Sequence, residues 1–225
     1  MNEKTERNLC EVPGDVSIIS KLEEIEPLFN STFEPEGQKC WPEVSLYVLR
    51  VKVSLTFRHL LRHKADLLII PCIDPYFKLY PGNILNRSPF NYREKLEEKK
   101  FFTAGNEGEV YLQKCVGIEN FKAFAFMKVG ENSEYVGKCV ESLILKLTQI
   151  DTQVKSVVLP YSQSIKSVLP ILDKLFEGFN KMKFKSKLSE FVISTNQPEA
   201  FNNGCLEFIE FVNKLIENNE ICIEF

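Results

Sequence analysis

Residues 65–73 read Ala-Asp-Leu-Leu-Ile-Ile-Pro-Cys-Ile, an almost uninterrupted apolar run of strand length. A strand with no polar side must be covered on both faces, and sheets sandwiched between helices supply that environment. The run therefore predicts a sheet centre and an α/β chain. Downstream, helical and strand-like segments alternate. Ser133 can cap a helix carrying Val136, Cys139, Val140, Leu143 and Leu147, and Val154–Leu159 reads as the next strand. Ser167 can cap a helix with Pro170 in its first turn and Ile171, Leu172, Leu175 and Phe179 inward, before a strand over Ser189–Ser194. Pro198 opens a last helix with Phe201, Cys205, Phe208, Ile209, Val212 and Ile216 in phase, and Ile221–Phe225 reads as a short edge strand.

Ahead of the central strand, Val44–Leu55 alternates apolar and polar residues and predicts one long strand with one face exposed, followed by a short helical turn. Residues 74–107 are polar and broken by Pro75, Pro81, Gly82 and Pro89, with a charged helical segment over Tyr92–Lys100. Gly108–Val116 and Phe121–Val129 are strand-like runs close enough to form a hairpin. Residues 1–43 read as an appendage: Asp15 as N-cap, Ile18, Ile19, Leu22, Ile25 and Phe29 at helical spacing, then a Pro- and Gly-bearing loop in which Trp41 pins the chain to the body. The organisation expected is an N-terminal extension with one amphipathic helix (1–43) and one α/β domain (44–225), a three-layer α/β/α sandwich around a mixed sheet.

A chain of 225 residues with 44% hydrophobic and 26% charged residues has enough apolar surface for one sizeable core. No segment reaches the roughly 18 apolar residues of a membrane span, and the polar start lacks a secretory apolar run, so an intracellular location without a membrane partner is expected. Seven cysteines, an odd number without a paired CxxC spacing, read as reduced core thiols. The two histidines, His59 and His63, stand four apart but lack the glutamate of HExxH, since position 60 is Leu, so neither a metal nor a cofactor is expected. A net charge of −3 offers no general attraction for nucleic acid. Local basic runs (Lys181, Lys183, Lys185 and Lys187; Arg50, Lys52, Arg58, Arg62 and Lys64) fit solvated faces better than a nucleic-acid groove.

The order of elements over residues 46–216 resembles the macro domain family, many of whose members bind ADP-ribose. The likeness rests on Gly108-Glu-Val-Tyr-Leu-Gln-Lys-Cys115 followed by Phe121-Lys-Ala-Phe-Ala-Phe-Met-Lys-Val129, similar to the family's hairpin, and on Val154-Lys-Ser-Val-Val-Leu-Pro-Tyr161, which resembles its strand ending in a proline before the phosphate loop. The resemblance implies a ligand set of Ser54, Leu55, Cys72, Asp74, Gly82, Asn83, Tyr161, Ser162 and Ser164, with Asp74 the sole catalytic candidate.

Those positions depart from the family's pattern. Ser54 falls where the resemblance implies an adenine-contacting aspartate, so no carboxylate accepts from the adenine amino group. The central strand ends Ile70-Pro-Cys-Ile-Asp74 instead of in an Asn-Ala-Ala-Asn phrase, and Pro75, Tyr76, Phe77 and Pro81 remove donors and add bulk where glycines would let backbone N–H groups approach phosphate. The second loop, Tyr161-Ser-Gln-Ser-Ile-Lys-Ser167, has no glycine, though the Ser162 and Ser164 hydroxyls can face an anion at the N-terminus of the helix beginning near Ser167.

Several residues support a bland reading as well as a sharp one. Cys72 at a strand end is either a nucleophile or a buried thiol. Asp74 is either a general base or a turn cap before Pro75, and Tyr76, Phe77 and Tyr80 either line a cleft or close their own loop. Gly105-Asn-Glu-Gly108 fits neither GxGxxG nor a P-loop and reads as a turn. The function expected is a divergent, non-catalytic macro-like module that binds a protein partner. The alternatives are a binder or hydrolase of ADP-ribose or a related nucleotide, and nucleic-acid binding through the 181–187 lysines.

Overall fold

Strand-length and helix-length runs become an eight-stranded mixed sheet between two helical layers. A computed structural model describes residues 18–20, 42–48, 50–72, 82–100, 109–129, 134–149, 154–161, 165, 167–181 and 187–218. The strands are β1 (Ile18–Ser20), β2 (Glu43–Val48), β3 (Val51–Phe57), β4 (Ala65–Cys72), β5 (Val110–Lys114), β6 (Phe121–Lys128), β7 (Ser156–Pro160) and β8 (Glu190–Thr195), in spatial order β1-β2-β3-β8-β7-β4-β6-β5. The helices are α1 (Gly82–Leu85), α2 (Tyr92–Glu98), α3 (Glu134–Gln149), α4 (Leu169–Lys181) and α5 (Pro198–Glu217), with a 3-10 turn at Leu60–Arg62. Strands β3, β8, β7, β4 and β6 run parallel, and β2 and β5 flank them antiparallel.

The apolar run at 65–72 is β4, and from Leu67 to Cys72 every residue is buried. Its side chains divide between two cores. Leu67 and Ile69 face α3, α4 and α5 together with Leu55, Ala125, Met127, Leu159 and Ile193. Leu68, Ile70 and Cys72 face the other side, where Phe124, Phe126, Tyr92, Leu96 and Leu60 fill the second core. Tyr92 sits edge-on to Phe124 at a centroid distance of 5.1 Å, an aromatic geometry favoured by the ring quadrupoles. At the amino ends of the central strands, Asp66 Oδ2 accepts from the Lys155 N–H (2.7 Å) and its other oxygen pairs with Lys122, tying β4 to β6 and to the start of β7.

Two expectations need correction. Val44–Leu55 is not one strand but the hairpin β2–β3, whose turn places Arg50 at a φ of 72°. Ile18 and Ile19, in phase with an expected helix, lie in β1, with Ile18 paired to Leu46 and Ile19 to Ser45. The remainder of that helix expectation, Asp15, the loop with Trp41, the aromatic residues Tyr76, Phe77 and Tyr80, the 105–108 turn and the 221–225 strand fall outside the described residues. Among the described residues, no helix is long and apolar enough to cross a membrane.

Helices α3 and α4 pack closely because Gly137 presents no side chain to the start of α4. A Cβ there would lie 2.7 Å from the Pro170 carbonyl oxygen, a backbone atom that has little freedom to retreat. Gly137→Ala is expected to destabilise the fold by about 1–3 kcal/mol despite alanine's better helix propensity, read as a lower urea midpoint. A neutral or stabilising result would mean that the crossing readily opens.

Candidate functional site

The five parallel strands bring their carboxyl ends to one edge: Phe57, Thr195, Pro160, Cys72 and Lys128. Open α/β sheets collect ligands at such an edge. Next to it, the N-terminus of α4 leaves backbone N–H groups without helical partners, and in general such groups attract an anion. Here the chain supplies the anion itself. Glu207, on α5, places Oε2 where the Ser167 hydroxyl donates to it at 2.8 Å and the Leu169 N–H at 3.0 Å, and the Val168 N–H donates to the same oxygen. Ser167 Oγ also accepts from the Leu169 N–H at 3.3 Å, so the cap expected of Ser167 is present and is itself held by Glu207.

Near this carboxylate, α5 packs directly on side chains of β3 and of the segment between β7 and α4. Gly204, one turn before Glu207, lets α5 settle onto β3: a Cβ there would meet Leu55 Cδ2 at 2.7 Å, Val168 Cγ2 at 3.3 Å and Tyr161 Cε1 at 3.4 Å. Leu55, Tyr161 and Val168 are all buried. Tyr161 is fixed at the end of β7 by its N–H, which donates to the Ser194 carbonyl at 2.7 Å. Burial, and then the nearby Glu207 charge, push its phenol up to about 12, so it remains neutral and is no base at ordinary pH.

Of the residues expected at a ligand site, the structure brings Leu55 and Tyr161 together around Gly204. Ser54 lies mid-strand, three residues before the end of β3, on the opposite face from Leu55. Its hydroxyl and that of Thr56 are buried and find no hydrogen-bond partner among the described residues. Cys72 ends β4 fully buried; its thiol donates to the Ile70 carbonyl, and burial raises its pKa well above the usual thiol range, so it is a core thiol and no nucleophile. Gly82 and Asn83 form the first turn of α1. Asp74, Ser162 and Ser164 lie outside the described residues.

The histidines face different partners, His59 within its own turn and His63, which is buried, across to β8. His59 Nδ1 accepts from the Leu61 N–H at 3.3 Å, capping the 3-10 turn, while His63 Nε2 lies 2.8 Å from Ser194 Oγ. Among the described residues, no group of histidine, cysteine and carboxylate side chains could hold a metal ion. The basic runs are partly consumed by ion pairs: Lys181 with Glu141 at 2.6 Å, and Lys52 with Glu43. Glu207, Gly204 and Val168 escape sequence reasoning. The one signal for Glu207 is a carboxylate between Gly204 and the inward Phe208 and Phe211 on a strongly amphipathic helix.

No family model matches the sequence, and no curated protein does either. Solved structures do. The Oceanobacillus iheyensis macrodomain with MES bound superposes with a TM-score of 0.60 at 8% identity, over 78% of this chain and 100% of that one. The same organism's macrodomain with ADP gives 0.58 at 8% identity, over 80% and 100% of the two chains. The Trypanosoma brucei macrodomain in complex with ADP gives 0.53 at 15% identity, over 71% and 70%. The chain therefore has the macro domain fold, and identities this low speak for the fold alone.

Proposed function

We propose that this chain is a non-catalytic macro-like domain that works through a protein partner, with the phosphate end of its nucleotide cleft occupied by its own Glu207. The observation that carries this reading is the Glu207 carboxylate, which takes the Ser167 hydroxyl and the Val168 and Leu169 N–H groups at the N-terminus of α4. A diphosphate placed at this helix end would compete with a covalently tethered anion for the same donors and meet its negative charge. The adjoining space is taken by Leu55, Tyr161 and Val168. Neither Cys72 nor Tyr161 is available as an ionised group near neutral pH.

Titration calorimetry of the full chain with ADP-ribose, at high protein concentration, tests the proposal. No saturable heat and an unshifted melting temperature are expected. The second reading, a reader of ADP-ribose or a related nucleotide, is favoured by the solved neighbours, which include the Oceanobacillus iheyensis macrodomain mutant G37V with ADP-ribose and a Trypanosoma brucei macrodomain in complex with ADP-ribose. Micromolar binding would establish that reading and remove the first.

A further inference from the structure

Helix α5 turns one face to the core and leaves an apolar stripe on the other. Ala200, Phe201, Gly204, Phe208, Phe211 and Leu215 are buried. Leu206 points away from them at 68% exposure, and Ile209 and Ile216, at 36% each, lie along the margin between the buried face and Leu206. Their spacing of three and seven, with Asn213 between the isoleucines, sets all four along one side of the helix over about 15 Å. The exposed parts of three apolar side chains in line, Leu206 above all, cost solubility and find no cover among the described residues. A polar amide within such a stripe fixes the register of a packed helix, as buried asparagines do in helix pairs.

Charge along the border selects the occupant. Glu199, Glu210 and Glu217 are exposed and fall on one edge of the stripe at helical repeat spacing. The nearby Lys214 is paired with Asp173 of α4 at 2.7 Å. A second copy meeting α5 about a perpendicular two-fold axis would bring the two glutamate rows together. The chain's own N-terminal apolar segment carries Glu23, Glu24 and Glu26 and would do the same.

We infer that the outer face of α5 docks a basic amphipathic helix of a partner protein, its apolar side chains on Leu206, Ile209 and Ile216 and its Lys or Arg residues along the glutamate row. The inference rests on reading the domain as an interaction module and names the chemistry of its partner. It uses helix-on-helix packing with a charged border, a recurrent mode of peptide recognition.

The test uses the full chain and a fluorescein-labelled synthetic helix of about five turns, with Leu at i, i+3 and i+7 and Lys beside them, followed by anisotropy. Saturable binding is expected, weakened at least about tenfold when the peptide lysines become glutamates, and to a similar degree by Leu206→Ser with Ile209→Ser. Glu210→Lys with Glu217→Lys is expected to reverse the peptide preference. Circular dichroism melts of the variants confirm that the fold persists. Absent saturable binding, binding unaffected by the face variants, or a wild-type dimer that Leu206→Ser dissolves would each overturn the inference. Run beside the ADP-ribose titration, the failures separate: nucleotide binding removes the function proposed above, whereas peptide failure in a chain that also ignores ADP-ribose removes only the α5 surface.

Discussion

Glu207→Ala is expected to lower the stability of the chain by about 2–3 kcal/mol, seen as a melting temperature lower by about 4–10 °C. The loss follows from the donors left behind. The Ser167 hydroxyl and the N–H groups of Val168 and Leu169 all point at one carboxylate oxygen, in a half-buried setting beside Tyr161 and Leu55. Without it, a helix N-terminus with its positive dipole end keeps unpaired donors that water reaches only in part. Glu207→Gln retains an acceptor and loses the charge, so a smaller drop of about 1 kcal/mol is expected. An alanine variant as stable as the parent would show that solvent satisfies the α4 terminus unaided, and the case for a tethered anion in the cleft would go with it.

Acidification from pH 6.5 to pH 4 is expected to remove about 3 kcal/mol of stability through a single imidazole. His63 is buried beside Ser194, and burial, helped by the neighbouring Arg58 charge, pushes its pKa from 6.5 down to about 4. The Ser194 hydroxyl donates to the Arg58 carbonyl at 2.9 Å, which leaves its oxygen to accept from His63 Nε2–H; the ring can make that bond in either charge state, so it is burial and the Arg58 charge that favour the neutral form. Between those two pKa values the unfolded chain binds the proton and the folded chain does not. Stability is thus fully present above the unfolded value and falls as the pH drops towards the folded one. Asp66 acts lower on the scale. Its burial raises its pKa, but the Lys122 pair and the Lys155 N–H outweigh that and bring it below the usual carboxylate value, so its contribution persists across the His63 window. Urea denaturation at a series of pH values reads the slope, and His63→Gln should flatten it; an unchanged slope in the variant would assign the acid sensitivity elsewhere.

Legibility in the sequence followed the range of the interactions involved. The β4 run, the β5–β6 hairpin and the alternation from α3 to α5 depend on local periodicity, and the structure agrees with them within a few residues. The β2–β3 turn escaped because Val44, Leu46 and Val48 and then Val51, Val53 and Leu55 enter the same core, and a one-residue slip of phase between Val48 and Val51 is the faint mark the reversal leaves. No Gly or Asn marks it; Arg50 takes the left-handed conformation instead. The macro domain fold was readable from element order, while the hold of Glu207 on the N-terminus of α4 was not. Glu207 meets Val168 and Leu169 across nearly forty positions of sequence, and nothing in either segment announces the other. Tyr161 and Leu55 were placed at the site by resemblance, but their burial against Gly204 is a property of helix packing alone.

The sheet's order also dictates when the protein can exist during its own synthesis. Strand β3 finds its inner neighbour in β8, Lys52 against Glu190 and Phe57 against Thr195, and α5 then lays Gly204 on Leu55. A ribosome delivers β2 and β3 well over a hundred residues before β8 and α5. Throughout that interval the hairpin has an unpaired edge and an uncovered apolar face, both of which invite strand-to-strand aggregation. Nascent chains therefore carry that open edge until β8 and α5 have emerged, and a product truncated before residue 190 keeps the edge of β3 that faces away from β2 unpaired.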